Sequence, residues 1–487
     1  MTLLSAENIR VLDRGTTLVS DISLTLEPGE PLVILGETGS GKSLLAQAIL
    51  GTLPDNLNAQ GQVTLGQRVL DVARPSGFRP LWGRELAVLP QEPWLSLDPL
   101  MRATQQVTET HQLVRGLRAS EAKRQAEADL AQLGLDGLAR HYPHQLSGGM
   151  AQRVALAAAR AGGARIVIAD EPTKGLDAAR RDDVAALLLA ELNQGGGLLV
   201  ITHDLALARM VGGRLVVMRD GAVVESGATR DVLASPQAAY TRELVAADPL
   251  QWPMREHSPG LGKPVVSAEG ISLTRGGKPL FSDLTLGAET GRILGITGPS
   301  GCGKSSLGDV LIGLIPPDTG SIHRQQGLAT TACQKLYQDP ASAFPARRTL
   351  GTTLADVARL HKVPTARINE WLDRLRLDPV LLSRRPAAVS GGELQRLALL
   401  RAMLVQPRFL FADEPTSRLD PITQREVITL LSTIAAETEV AVVLVSHDEA
   451  LIDRTADSVY AFGANTAMAN SKRIRLAFMD NQCPTRA

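Results

Sequence analysis

The chain has 487 residues, 51 basic and 51 acidic side chains and 44% hydrophobic residues, which suits two or three soluble globular domains. The charge balance excludes a bulk electrostatic pull toward nucleic acid or acidic membrane, and no apolar run approaches the roughly 18 residues of a membrane span. Cys302, Cys333 and Cys483 are scattered and odd in number, so they form neither a disulfide framework nor a metal cluster. Met1 to Asn8 lacks a basic stretch followed by an apolar core, so no signal peptide and a reducing compartment are expected.

In chain order, Leu32-Val33-Ile34-Leu35 reads as a buried strand and runs into Gly36-Glu37-Thr38-Gly39-Ser40-Gly41-Lys42-Ser43. This is the G-x-x-x-x-G-K-[ST] pattern of a P-loop, followed by a helical stretch near Leu44. Next come Val88-Leu89-Pro90-Gln91-Glu92-Pro93, then Leu146-Ser147-Gly148-Gly149-Met150-Ala151-Gln152-Arg153. Ile166-Val167-Ile168-Ala169-Asp170-Glu171-Pro172-Thr173 and Leu199-Val200-Ile201-Thr202-His203-Asp204 close the series. The whole series then repeats. Ile293-Leu294-Gly295-Ile296 precedes Gly298-Pro299-Ser300-Gly301-Cys302-Gly303-Lys304-Ser305. Gln338 follows Lys335-Leu336-Tyr337, and Val389-Ser390-Gly391-Gly392-Glu393-Leu394-Gln395-Arg396 comes next. Phe409-Leu410-Phe411-Ala412-Asp413-Glu414-Pro415-Thr416 and Val443-Leu444-Val445-Ser446-His447-Asp448 complete the second copy.

Every pair after the P-loop keeps nearly the same offset, while the first copy carries about fifteen extra residues between its P-loop and Gln91. That surplus, around residues 65–80, reads as a polar Gly/Pro-rich loop. Strands alternating with helical stretches predict an α/β protein with parallel sheet cores. Residues 120–133 and 365–375 read as helices of a helical subdomain in each half. The boundaries expected are a first domain at 1–247, a Pro/Gly-rich linker without apolar periodicity at 248–264, a second domain at 265–464 and an irregular tail at 465–487.

The chemistry follows from residue types. The glycines converge backbone N–H groups on phosphate oxygens and the helix N-terminus adds a favourable dipole. Lys42 and Lys304 are expected at the β/γ-phosphates, and Ser43 and Ser305 at Mg²⁺. Asp170 and Asp413 end buried strands, where a carboxylate holds Mg²⁺ directly or through water. Glu171 and Glu414 come next, are aimed differently by strand alternation, and suit polarising the attacking water. His203 and His447 are expected to hold the γ-phosphate, water and glutamate in line, with Gln91 and Gln338 reaching Mg²⁺ or the water from a flexible loop. Ser147-Gly148-Gly149 and Ser390-Gly391-Gly392 each cap a helix and bare its N–H groups, making a second anion site in each half. Cys302 sits at a helix start, which predicts a lowered thiol pKa and a reactive thiolate.

Five such elements in this order resemble the ATP-binding cassette (ABC) ATPases over roughly residues 3–245 and 265–462, as Walker A loop, Q-loop, signature, Walker B strand and H-switch. The resemblance implies two tandem P-loop NTPase domains, each with a RecA-like α/β core, an antiparallel β subdomain and a helical subdomain. It implies head-to-tail pairing within one chain. One ATP would lie among Gly36, Gly39, Gly41, Lys42, Ser43, Gln91, Asp170, Glu171 and His203 and the opposing Ser390, Gly391 and Gly392. The other would lie among Gly298, Gly301, Gly303, Lys304, Ser305, Gln338, Asp413, Glu414 and His447 and the opposing Ser147, Gly148 and Gly149. Asp177 and Asp420 match the loop that crosses this interface. Where the family stacks adenine on an aromatic, Asp13 and Arg275 stand, Arg275 offering a cation–π contact.

Gln91-Glu92-Pro93-Trp94-Leu95-Ser96-Leu97-Asp98-Pro99, Gln338-Asp339-Pro340-Ala341-Ser342-Ala343-Phe344-Pro345 and the segment Ser235-Pro236-Gln237-Ala238-Ala239-Tyr240-Thr241-Arg242-Glu243-Leu244 are similar to oligopeptide, dipeptide and nickel importer ATPases. The chain looks like two such subunits fused. The implied partners are two integral-membrane permeases and an extracytoplasmic solute-binding protein, with no nucleic acid. The implied place is the cytoplasmic face of the inner membrane, as a peripheral subunit. Two complete catalytic sets imply two ATP hydrolysed per cycle. Val389 stands where the signature usually has leucine, and no Gly-x-hydrophobic strand pair follows Phe462. The alternative, a soluble twin-cassette ATPase acting on ribosomes or nucleic acid, fits less well: residues 248–264 are short and broken by prolines, and zinc-binding cysteines are lacking.

Overall fold

The computed structural model describes residues 2–255, 264–299 and 301–462, and the chain divides into two units between Val245 and Ala246. The first unit opens with β1 (Leu4–Asp13), β2 (Thr16–Leu26), β3 (Leu32–Leu35), α1 (Lys42–Leu50), β4 (Asn58–Leu65), β5 (Arg68–Asp71) and β6 (Leu86–Leu89). It continues with α2 (Ala103–Leu113), α3 (Ala119–Gln132), α4 (Gly148–Arg160), β7 (Ile166–Asp170), α5 (Ala178–Leu189) and β8 (Gly197–Thr202). It ends with α6 (Leu205–Val211), β9 (Arg214–Arg219), β10 (Ala222–Ala228), α7 (Thr229–Ala234) and α8 (Ala239–Ala246), whose last residue lies across the division.

Two sheets organise this unit. An antiparallel sheet runs β2-β1-β4-β5, and a six-stranded sheet runs β10-β9-β3-β8-β7-β6. The latter is parallel from β9 to β6, with β10 antiparallel at its edge. Continuous apolar runs make the central strands: all residues of β3 and β8 are buried, as parallel strands covered on both faces require. Because every parallel strand ends on the same side, the P-loop after β3, Asp170 at the end of β7 and His203 after β8 gather at one sheet edge. Helices α2, α3 and α4 pack together beside the core.

The second unit repeats this plan with β11 (Pro264–Arg275), β12 (Lys278–Glu289), β13 (Ile293–Thr297), α9 (Lys304–Ile312), β14 (Thr319–Arg324), β15 (Cys333–Leu336) and α10 (Leu350–Leu360). It continues with α11 (Ala366–Arg374), α12 (Gly391–Met403), β16 (Phe409–Asp413), α13 (Pro421–Thr438), β17 (Ala441–Val445), α14 (Glu449–Thr455) and β18 (Ser458–Ala461). Its antiparallel sheet is β12-β11-β14, and its parallel sheet is β15-β16-β17-β13-β18. Among the described residues it lacks a counterpart of the antiparallel edge strand β10, and the expected tail at 465–487 lies outside them.

Two expectations change. The surplus at residues 65–80 is not a polar loop. It supplies β5, paired with β4, and two short 3₁₀ turns that place Phe78 and Leu81 in the core. The apolar residues of this stretch are scattered among Gly, Pro, Asp and Arg without a period, yet Phe78 is fully buried against Gly51, whose missing Cβ would lie 2.6 Å from the ring. The expected linker is also partly built in. The Asp248 carboxylate caps a 3₁₀ turn at Pro249–Gln251, and Trp252 packs on the second unit's core. Arg454 donates to the Trp252 carbonyl at 2.7 Å, and Arg255 pairs with Asp457 at 2.8 Å. Residues 256–263 lie outside the described part.

A local exchange distinguishes the two cores. Phe411 in β16 fills space that Gly308 in α9 leaves open, since a Cβ there would stand 2.2 Å from the ring. The first unit has Ile168 and Ala46 at the matching places. Gly308→Ala is expected to destabilise the second unit by about 2 kcal/mol, overpacking outweighing the gain in helix propensity. Adding Phe411→Ile should restore most of the loss, with denaturant midpoints as the readout.

Candidate functional site

In each unit the P-loop closes into a ring around its own lysine. Gly41 and Gly303 take left-handed backbone, φ 94° and 103°, at the N-caps of α1 and α9, a geometry open mainly to glycine. Lys42, 5% exposed, donates from Nζ to the carbonyls of Gly36 at 2.8 Å and Glu37 at 2.7 Å. Lys304, equally buried, donates to Gly298 at 2.7 Å and Pro299 at 3.0 Å. Both ammonium groups are thus held at the loop rim.

Ser43 Oγ donates to Asp170 Oδ1 at 3.3 Å, and Ser305 hydrogen-bonds Asp413. Burial pushes both aspartate carboxyls above their ordinary value, with the serine hydroxyls and nearby lysines pulling the other way and the neighbouring glutamates adding to the rise. A desolvated carboxylate beside a hydroxyl, both hard oxygen donors, suits Mg²⁺.

Glu171 and Glu414 are aimed by more than strand alternation. Both leave their strand in left-handed backbone, φ 48° and 45°, which costs non-glycine residues energy and recurs at functional sites. Their N–H groups still donate to the neighbouring strand, to Ile201 and Val445. The kink delivers Glu171 Oε1 to His203 Nδ1 at 2.8 Å. Burial disfavours the Glu171 carboxylate, but the charge and hydrogen bond of His203 outweigh it and hold the carboxyl below its ordinary value. Reciprocally, burial opposes the imidazolium and Glu171 overcomes it, raising His203. In the second unit His447 Nδ1 stands 3.4 Å from Glu414 Oε2, and Gln338 donates to the same oxygen at 2.9 Å. Gln91 is exposed, in the turn before a 3₁₀ segment at Pro93–Ser96.

Ser147 and Ser390 cap α4 and α12, accepting from the N–H groups of Met150 and Glu393, and Glu393 completes a capping box at Ser390. Gly148, Gly149 and Gly391 have room for a Cβ, whereas at Gly392 one would stand 2.4 Å from Thr423 Cγ2. Asp177 and Asp420 cap α5 and α13. Asp13 and Arg275 lie at the tips of β1 and β11.

Cys302 departs from expectation. Burial pushes its thiol up, outweighing the Lys304 charge and the backbone N–H groups. The loop packs the sulfur against the core, with Phe281 and Phe462 in the same cluster, so the helix start does not deliver a ready thiolate.

Sequence reasoning missed three groups. The Tyr240 hydroxyl accepts from the Glu37 N–H at 2.9 Å, tying the segment after the first sheet to the P-loop. Arg219 lies over the Tyr240 ring at 4.9 Å. Lys335 reaches Asp413 at 3.4 Å. Tyr240 was visible as a segment match, but nothing local in sequence joins it to Glu37, 203 residues away; Lys335 stands in the short strand Cys333–Leu336, and nothing local marks it as reaching Asp413.

Strand, phosphate loop, helix, a paired Ser–Asp and a Glu–His couple at one sheet edge define a P-loop nucleoside-triphosphatase. The ABC transporter family matches residues 19–174 and 281–417, and the chain belongs to that family, as an ATP-binding protein that hydrolyses ATP. It is 33% identical to a peptidoglycan transport ATP-binding protein of Agrobacterium fabrum, covering 91% of this chain and 86% of that one. It is 30% identical to a glutathione import ATP-binding protein of Salmonella typhi, covering 91% and 81%. Among solved structures it resembles an RNase-L inhibitor at TM-score 0.62, 20% identity, covering 93% of this chain and 88% of that one. At that identity the likeness shows the fold alone. No described helix is long and apolar enough to cross a membrane.

The shifts set a pH window. Glu171 contributes stability above its ordinary 4.5, lost as pH falls through its lowered folded value; His203 contributes below its ordinary 6.5, lost as pH rises through its raised one. The pair is therefore fully effective between about 4.5 and 6.5. In NMR of ring-labelled histidine, His203 of the nucleotide-free chain should titrate above 6.5. Glu171→Gln should drop that midpoint, since burial then acts without its counter-charge. An unmoved midpoint would show that the couple does not form.

Proposed function

We propose that the chain is the energy-coupling ATPase of an importer of peptides or peptide-like solutes. It would bind two permease subunits at the cytoplasmic face of the membrane, in a system served by an extracytoplasmic solute-binding protein. The observation that carries this reading is the complete set of hydrolytic groups in both units of a chain similar along more than nine-tenths of its length to transport and import ATPases.

Phosphoryl transfer to water needs positioning and charge neutralisation more than covalent chemistry. In this reading Lys42 and Lys304 move from loop carbonyls onto β/γ-phosphate oxygens, and the glycine-bared N–H groups cradle the rest. Ser43 with Asp170, and Ser305 with Asp413, would hold Mg²⁺, which would supply charge neutralisation for the phosphates. Glu171 and Glu414 take up a hydrogen bond from the attacking water. His203 and His447 fix the glutamates, while Gln91 and Gln338 link the site to loops beside which a permease helix would dock. Ser390, Gly391 and Gly392 complete the site of Lys42, and Ser147, Gly148 and Gly149 that of Lys304. Permease docking biases closure of the cassettes, which assembles both sites.

Glu171→Gln with Glu414→Gln should lower turnover at least about a hundredfold while ATP still binds, because phosphate contacts persist without the water-orienting group. Steady-state hydrolysis and nucleotide binding on the same preparation check this, and unchanged hydrolysis would refute it.

Cross-pairing has its own test. In a Glu414→Gln background, Ser390→Arg should remove most of the remaining activity, since a bulky cation at that helix start blocks the γ-phosphate approach to Lys42. Full remaining activity would exclude the pairing. Reconstitution with the permeases and binding protein should raise ATPase severalfold on adding a peptide solute; stimulation confined to Ni²⁺ would move the solute class, and co-purification with ribosomes instead of permeases would sink the transport reading.

A further inference from the structure

Among the differences between the two units, one lies three residues before the repeated glutamine, at Val88 and Lys335. In β15, Lys335 lies opposite Phe411 of β16, and its side chain is 8% exposed. Its ammonium has three donors and no acceptor, and three oxygens surround it: Asp309 Oδ1 at 2.9 Å, Asp413 Oδ2 at 3.4 Å and the Ser305 carbonyl at 3.4 Å. In the first unit the same strand position, opposite Ile168, is Val88, packed on the core. Asp309, five residues after Lys304, is matched by Gln47, five after Lys42. The first unit therefore has neither the ammonium nor its second carboxylate.

We infer that Lys335 is a specificity-determining residue of the second nucleotide site, a built-in cation on Asp413 that makes this site hold the nucleotide's divalent metal more weakly than the first. The inference rests on Ser305 and Asp413 being the metal-holding pair. Mg²⁺ takes short, near-octahedral oxygen contacts and is usually held by one or two carboxylates, waters and phosphates. An ammonium on the same carboxylate competes for its lone pairs, adds no ligand and repels a dication. Asp309 keeps Lys335 in place and offsets part of its charge. Asp413 nevertheless keeps Lys335 as an ion-pair partner at 3.4 Å. A purely structural Lys335, stapling β15 to α9 and β16, would affect stability and leave metal affinity alone.

The test uses the full chain with one site at a time disabled: Lys42→Ala leaves the second site, Lys304→Ala the first. Mn²⁺ is titrated by the EPR signal of the free ion with a saturating non-hydrolysable ATP analogue, and a fluorescent analogue confirms nucleotide occupancy. Mn²⁺ should bind about tenfold more weakly to the Lys42→Ala chain, the scale of one unit charge acting on a dication a few Å away in a wet site. Adding Lys335→Met and Asp309→Asn should close that gap. The reciprocal change, Val88→Lys with Gln47→Asp in the Lys304→Ala chain, should open a similar weakening and decides the matter if the first variant fails to fold. Equal Mn²⁺ affinities in the two single-site chains, or values unmoved by the substitutions, overturn the inference. A Lys42→Ala chain that takes up no nucleotide overturns the site assignment beneath it.

Discussion

A lysine ammonium held on backbone carbonyls at the end of a buried strand sets the terms for the rest of each cassette. Lys42 and Lys304 are almost fully removed from water, a state tolerable for a charge only when its donors are satisfied. The carbonyls of Gly36 and Glu37, and of Gly298 and Pro299, satisfy them. That ring closes only because left-handed glycines turn the chain into a helix immediately after the loop. The helix must then lie against the sheet, which fixes Ser43 beside Asp170. Parallel strands ending on one side bring His203 to Glu171. The arrangement of the candidate catalytic groups is thus a consequence of one loop closing on one charge, propagated through a buried parallel sheet.

Much of this was legible because the residues that carry it are local and repeated. A P-loop between an apolar strand and a helix, or a serine before two glycines, announces its geometry within a few positions. The aim of Glu171 and Glu414 was not legible in the same way. Strand alternation suggests a side chain on the opposite face from the aspartate, whereas a left-handed kink delivers it to the histidine. Phe78 was hidden because one buried aromatic among glycines, prolines and arginines has no period. The Cys302 reading followed a sound rule about helix starts, but desolvation by the packed loop exceeds the help that the helix and Lys304 give the thiolate. Local rules failed where a tertiary contact of greater magnitude opposed them.

The two halves share a backbone plan yet solve its packing and charge problems differently. Phe411 with Gly308 replaces Ile168 with Ala46, and the larger ring lies beneath Lys335, whose ammonium is 5.7 Å from its centroid. Lys335 is in turn compatible with burial only because Asp309 and Asp413 flank it; an unpaired ammonium at that depth would be expelled or neutralised. The substitutions at Phe411, Gly308, Lys335 and Asp309 therefore form one coherent neighbourhood of the second cassette, on the side of the sheet that meets α9.

A single chain carrying both cassettes makes such divergence permanent. When two identical subunits pair, any change in one nucleotide site appears in both; here each site draws its own Walker loop and carboxylates from a different half. The first half keeps a close Glu171–His203 couple and a segment reaching back from Tyr240 to the P-loop. The second sets His447 farther from Glu414, adds a Gln338 hydrogen bond to that glutamate, and places an ammonium at Asp413. None of these differences removes a proposed catalytic group, so presence or absence of motifs reports the two sites as equal. The distinction lies in what surrounds the carboxylate proposed to hold the metal, where one added cation changes the electrostatic balance while every proposed catalytic and metal-binding residue type is kept.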